Sequence, residues 1–463
     1  MSLVFLLVYA AALVAIGWWS SRRMTAPEFF VAGRQLSPVL LAGTLIAANI
    51  GAGSTVGAAG LGYRDGVAAW WWVGSAGLGS VALGLWVGPR IWRVAAADDH
   101  RTVGDYLHAR FGPDVRAVMA VLLWCGSLSI LAAQLIALAG LLEVVAGLPR
   151  TYGCIIGGVV ATLYFTSGGL RSSTLVNQVQ VVVLVAGLLL AVPFAWHAAG
   201  GLATLEAPAV PPGYWNPLGG GASGLMYVAL LAPSFVVSPG LLQKVFGARD
   251  TRTVRTGVLV NAVVLLLFAA VPPLLGMLAR VLHPTLGNHE LALPMLLHDD
   301  LPPWLGTLAM AALFSAEVST ADAVLFMLST SMARDLYRGH LWPGATDVEQ
   351  LRVARIAAVA SGVLGVAVAI WAGSIITAMK LFYSVLSASL FVPVVAGLFL
   401  PRARRSDARA AMAAGALVTV ALEVGTRGVG LAGLAPVVWG LAASAAALIV
   451  GLMAGRARPT VNA

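Results

Sequence analysis

Apolar runs of about 18 to 25 residues recur along the whole chain, each long enough to cross a bilayer core of roughly 30 Å. In hydrocarbon every backbone amide and carbonyl must be bonded internally, so such runs leave only helices or closed barrels. The runs are continuous rather than alternating, which excludes the barrel. The chain reads as an all-α polytopic membrane protein. Its 463 residues are 59% hydrophobic and only 10% charged, too few charges for a soluble protein of this length.

Thirteen spans are expected, at 2–20, 37–62, 67–92, 117–147, 152–166, 174–197, 222–240, 255–282, 303–333, 352–372, 376–400, 409–428 and 432–455. The first has too little positive charge before it, and no small-residue cleavage site after it, to be a secretory signal. Basic residues set the orientation. Twenty-three of the 28 Lys and Arg fall on one set of alternate connections, Arg22, Arg90, Lys244, Arg334, Arg402 and Arg456 among them. Only Arg64, Arg150, Arg280, Lys380 and Arg427 fall on the other. This bias puts the N-terminus outside and the C-terminus in the cytoplasm, in a plasma membrane expected to be a bacterial inner membrane. The formal charge of +9 therefore reflects topology and gives no ground for a nucleic-acid partner. The expected partners are membrane lipid and a small-molecule solute. One copy suffices for this reading, and the oligomeric state stays open. Cys125 and Cys154 both lie inside spans, so no disulfide framework is indicated. The hydrophilic connections are all short and leave no room for a soluble catalytic domain, so an enzyme is not expected.

Spans two to six (37–197) and seven to eleven (222–400) form two sets of five, with 2–20 before them and 409–455 after. Five is odd, so the second set lies inverted relative to the first, as in inverted-repeat transporters. Such folds break a helix at matching places in both halves. The first helix of the first set contains "IAANIGAGSTVGAAG" (46–60), rich in glycine and carrying Asn49, Ser54 and Thr55. The first helix of the second set contains "LLAPSFVVSPG" (230–240), with Pro233 and Pro239. Glycine and proline both weaken a helix. In lipid the freed backbone groups need other partners, a bound cation for carbonyls and a polar solute for the rest. By contrast "GSAGLGSVALG" (74–84) reads as a small-residue packing surface, and Trp70, Trp71 and Trp72 as an interfacial belt. "HPTLGNHELALPMLLHDDLPP" (283–303) reads as a solvated external loop with a short helix, since its His and acid spacing fits no metal pattern.

Ala316, Ser319 and Thr320 fall at i, i+3 and i+4 and share one helix face. A carbonyl and two hydroxyls are hard, neutral oxygen ligands, suited to a monovalent cation that must also leave. Hydroxyls in membrane helices also bond their own i−4 carbonyls, so the spacing alone leaves both roles open. Asp322 is an intramembrane carboxylate three residues after Ser319, and Glu317 points about 100° away from Ala316. For both, a structural pairing and a coupling role stay open.

"FFVAGRQLSP" (29–38), "LIAANIGAGSTVGAAGLGYRDG" (45–66), "TVGDYLHARFG" (102–112), "TSGGLRSSTLVNQVQ" (166–180) and "STADAVLFMLSTSMARDLY" (319–337) follow one another in a specific order. In that order and topology the chain resembles the sodium:solute symporter family over nearly its whole length. The resemblance implies a five-plus-five inverted repeat of the LeuT-like kind. It implies sodium-coupled import of a small organic solute (an amino acid, monocarboxylate, vitamin or sugar-like compound) by alternating access. A sodium ion is then expected on the carbonyls of Ala47, Ile50 and Ala316 and the hydroxyls of Ser319 and Thr320. The solute is expected beside the breaks, among Asn49, Ser54, Gln134, Ser234, Phe235 and Ser238, with Tyr383 and Ser384 as an outer gate. Many family members carry an aspartate where this chain has Asn177. An amide is a weak, uncharged ligand, so a single sodium is expected, with Asn177 and Asp322 as candidate coupling positions. No basic residue is expected deep in the pocket. A membrane sensor acting through a separate signalling partner, and a proton-coupled transporter using Asp322 and Glu317, remain as alternatives.

Overall fold

The computed structural model describes residues 26–166, 170–202, 205, 210–219 and 223–456, preceded by residues 4, 8–13 and 15–16. The expected first span therefore lies largely outside the described residues. After α1 (Ala26–Val31), α2 (Pro38–Asn49) starts where Ser37 Oγ accepts from the Leu40 amide, with Pro38 in the first turn. It stops at Ile50, which is extended (φ −101°, ψ 94°). The chain restarts through a wide turn, with Gly57 N–H on Ala52 O at 2.7 Å, into α3 (Ala58–Asp65). α4 (Trp70–Ala82) then runs on through a second wide turn into α5 (Gly88–Ala97). The first half continues with α6 (Val103–Phe111), α7 (Pro113–Ala146), α8 (Arg150–Thr166) and α9 (Leu170–Ala199).

The second broken helix is α10 (Ser223–Val237) and α11 (Pro239–Phe246). Proline at 239 cannot donate to the preceding turn, which forces the interruption, whereas Pro233 is accommodated inside α10. There follow α12 (Thr251–Phe268), α13 (Val271–Leu282), the short α14 (Ala292–Asp299), α15 (Pro303–Thr330, continued by wide turns to Leu341), α16 (Asp347–Trp371) and α17 (Ile375–Phe399). The last helices are α18 (Arg405–Gly425) and α19 (Pro436–Arg456), and the described residues contain no strand.

Among the described residues nine helices are long and apolar enough to cross a membrane alone. A tenth arises from Pro38–Asn49 and Gly53–Ala97, bent against each other by 64°. The expected spans 37–62 and 67–92 fall on that bent pair, and 152–166 falls on the 17-residue α8. Other expected bounds lie within a few residues of those observed, as at Ile375–Phe399. The apolar window of α15 is 100% buried, against 22% for α19, so α15 is the central post and α19 faces lipid. α15 packs on α2, α7, α9 and α16.

The glycine-rich 74–84 stretch is the packing surface expected of it. A side chain at Gly79 would collide with the Ala232 carbonyl, and one at Gly77 with Leu266. The segment 283–303 differs from expectation. Leu293, Leu296 and Leu297 on α14 are fully buried, and Glu290 accepts from Ile375 N–H at 2.8 Å, so the segment is packed rather than solvated. Burial pushes the Glu290 carboxyl up, and its backbone bonds pull it partly back. The described residues hold no cluster of His, Cys, Asp and Glu fit for a metal, and Cys125 and Cys154 are free thiols.

At one end of the bundle, Asp105 on α6 meets Arg116 on α7 at 3.2 Å and Arg334, just beyond α15, at 2.7 Å. Arg116 also lies 3.3 Å from Asp335, which accepts from Thr102 Oγ1 at 2.6 Å. Burial pushes the Asp105 carboxyl up, but Arg334 and Arg116 outweigh it and hold the group below its ordinary value.

Candidate solute and ion site

Breaking α2 frees backbone groups, whose partners come partly from the break itself and partly from side chains of other elements. Ala52 N–H donates to Gln134 Oε1 on α7 at 2.8 Å. Gly53 O accepts from Trp72 Nε1 at 2.9 Å. Ser54 Oγ donates to Asn49 O at 2.6 Å, and Thr55 Oγ1 lies 2.9 Å from both Gly51 O and Glu317 Oε1. Glycine is required here by space. A side chain at Gly51 would collide with Thr320 and Gln134, and one at Gly53 with the Met379 sulfur.

Against this break α15 sets its hydroxyls. Ser319 Oγ lies 2.8 Å from Ala47 O and 3.1 Å from Ala316 O, and Thr320 Oγ1 lies 3.2 Å from Ala47 O. Oxygens about 3 Å apart have the spacing of neighbouring ligands around a cation held at about 2.4 Å. The set carries no formal charge, so it fits a monovalent ion better than a divalent one. Four of the five expected ion-site residues are thus tied by hydrogen bonds. The fifth, Ile50, is fully buried at the point where the helix ends.

The two broken helices, α7, α15 and α17 surround a cavity of about 60 Å³. Of the eight expected solute residues, Asn49, Ser54, Gln134, Phe235, Ser238 and Tyr383 line it. Asn49 Nδ2 also donates to Asn261 Oδ1 at 3.0 Å, linking the break to α12. Phe235 and Tyr383 pair at 5.9 Å between ring centres. Two expectations are corrected. Ser234 is fully buried behind the wall, 2.7 Å from Ser387 Oγ and 3.0 Å from Tyr383 O, and fastens α10 to α17. Ser384 points away from the cavity and donates to Glu423 Oε1 on α18 at 3.2 Å, because neighbours on a helix point about 100° apart.

The candidate coupling residues lie behind the ion cluster. Asn177 donates to Thr44 Oγ1 at 3.0 Å, while its own oxygen is buried without a partner among the described residues. Asp322 is bonded by Ser173, one turn before Asn177 on α9, and feels the charge of Lys244. Glu317 pairs with Thr55, the structural role left open for it in the sequence.

Two residues of the site were missed. Trp72 is not part of an interfacial belt; it is 3% exposed and bonds the first break. Lys244 is not a connecting-loop cation; it is 2% exposed on α11 and lines the cavity. The expectation of a pocket free of basic residues is therefore overturned. α11 continues inward past Pro239 as a half-helix, so a position beyond the apolar run is still inside the protein.

Paired broken helices around a common cavity define a secondary transporter. The profile of the sodium:solute symporter family matches residues 29–415, and the chain belongs to that family. It is accordingly a secondary transporter rather than an enzyme, in a family that couples solutes to sodium. It is 29% identical to a sodium/pantothenate symporter of Escherichia coli (strain K12), over 98% of this chain and 96% of that one. It is 24% identical to a sodium/glucose cotransporter of Vibrio parahaemolyticus, over 80% of this chain and 74% of that one. The fold matches that of a Na+-coupled sialic acid symporter solved in a substrate-bound outward-open state. The TM-score is 0.81 at 17% identity, covering 98% of this chain and 97% of the other. The fold is thus the five-plus-five LeuT-like one.

Proposed function

We propose that this protein imports a small organic solute together with sodium, across a bacterial plasma membrane, by alternating access. The inverted repeats are assigned to 37–197 and 222–400, with the N-terminus outside and the C-terminus in the cytoplasm. The carbonyls of Ala47, Ile50 and Ala316 and the hydroxyls of Ser319 and Thr320 hold the ion. Asn49, Ser54, Gln134, Phe235, Ser238 and Tyr383 meet the solute. One observation carries this reading: Thr320 bonds Ala47 O in the oxygen cluster and also forms part of the cavity wall. An ion on that hydroxyl fixes the wall that the solute touches, which couples the two bindings reciprocally.

The test is uptake into proteoliposomes as a function of sodium. Ser319→Ala and Thr320→Ala each remove one oxygen without weakening the helix. Each is expected to cost roughly 1 to 3 kcal/mol of sodium binding, about 5- to 150-fold in apparent affinity. Solute affinity falls at low sodium and recovers at high sodium. Ser329→Ala is the control, since Ser329 bonds only the Phe326 carbonyl of its own helix. Unchanged sodium dependence in the Ser319→Ala, Thr320→Ala double variant would falsify the assignment. With Asn177 uncharged, sodium dependence is expected to be hyperbolic, and a sigmoidal curve would point to a second ion.

A further inference from the structure

We infer that the solute is a carboxylate-bearing anion whose carboxylate binds at the second break, on the Lys244 ammonium and the first amides of α11. The inference deepens the symport reading above and rests on it.

Lys244 lines the cavity yet makes no hydrogen bond or ion pair with any described residue. Its ammonium lies 5.9 Å from the centre of the Phe326 ring, which offers no lone pair. The one carboxylate whose charge it feels, Asp322, lies beyond ion-pair distance and is bonded by Ser173. An ammonium with three donors and no acceptor, inside a membrane protein, is costly unless a ligand supplies the acceptor.

The surrounding backbone has the same polarity. Pro239 has no N–H, and the Gly240 and Leu241 amides lie at the start of α11, where no intrahelical acceptor exists. Both residues line the cavity. Ser238 precedes them without making a capping bond, so its side chain leaves these amides unbonded. Lys244 follows Gly240 by one turn, and helix side chains lean toward the N-terminus, so the ammonium and the free amides converge. Together they form an oxyanion cradle. Ile130, Val324, Met327 and Phe382 add apolar surface to the same cavity and suit the body of a small organic acid rather than a second charge.

The test uses the purified full-length protein and its melting temperature, in sodium chloride or choline chloride. The probes are small monocarboxylates (acetate, lactate, pyruvate, phenylacetate and pantothenate), each beside its neutral amide or alcohol. At least one acid is expected to stabilise the protein only with sodium, and its neutral partner to bind at least about ten-fold more weakly, 1.4 kcal/mol. Lys244→Gln, checked for folding by gel filtration, is expected to lose the preference for the acid. Lys244→Arg is expected to keep it. Neutral partners stabilising as well as their acids, a preference that survives in Lys244→Gln, or no acid stabilising at all would overturn the inference. The comparison of acids with neutral partners needs no variant. If sodium alone shifts the wild type and only neutral solutes add to it, the anion assignment fails while symport stands. If neither sodium nor any solute with sodium shifts it, the symport reading fails first.

Discussion

The two broken helices interrupt the membrane by opposite chemistry. The first break is made with glycine and closes on side chains. Its freed N–H and C=O groups meet Gln134, Trp72 and Ser54, and its outer face turns carbonyl oxygen toward Ser319 and Thr320. The second is made with proline, which removes a donor and leaves the next amides uncovered, with Lys244 one turn on. One break gathers oxygen and the other gathers N–H. On the proposed reading, the first break holds the cation on neutral oxygens and the second holds the anion on Lys244 and free amides. The first break is bonded by the protein's own side chains, whereas Ser238 makes no capping bond at the second.

Substitutions can break or sharpen this contrast. The largest effect is expected for Gly51→Ala, because the added carbon meets Thr320 and Gln134 together. Overpacking of this kind costs about 1 to 3 kcal/mol, and here it also pushes Thr320 off Ala47. The sodium-dependent rise in melting temperature should vanish; if it persists, the first break is not a tight one. Gln134→Leu comes next. It strands the buried Ala52 amide, at about 1 to 3 kcal/mol, and should lower the melting temperature in sodium and in choline alike.

A matched pair of serines then compares the breaks directly. Ser54→Ala loses the bond to Asn49 O and should cost about 1 kcal/mol of stability. Ser238→Ala loses no capping bond, so its melting temperature should move by less than about 0.5 kcal/mol equivalent while solute affinity falls. Equal losses of stability at both serines would end the distinction. The smallest effect is expected for Ser384→Ala. Its hydroxyl faces Glu423 rather than the cavity, so transport kinetics should match the wild type.

The spans were legible because length and hydropathy are set by the bilayer, and that constraint leaves little choice of fold. The clustering of oxygens was legible because i, i+3 and i+4 place Ala316, Ser319 and Thr320 on one face whatever surrounds them. Among the readings that failed, three share one identifiable reason. Lys244 stood next to other cations just past an apolar run, and a rule that counts charge cannot see a half-helix turning inward. Trp72 belongs to a tryptophan triplet whose members point in different directions, and only the Gly53 carbonyl distinguishes it. Ser384 was grouped with Tyr383 by adjacency, although adjacency on a helix separates side chains. In each case the missing information was direction, which packing decides.

The ionic cluster where α6 and α7 meet the extension of α15 divides in an instructive way. Asp105 and Arg116 belong to the bank formed by α6 and α7, and Arg334 and Asp335 to the extension of α15. Each bank holds one positive and one negative group, so pulling the banks apart leaves both electrically balanced. Arg116 and Asp105 already touch within their own bank and stay paired when it separates from the other. The seam can part and reseal without delivering a bare charge to either lip, much as a zip whose teeth carry their own partners. Neutralising any one tooth leaves an odd charge on a single lip, and the seam then favours whichever position best hides it.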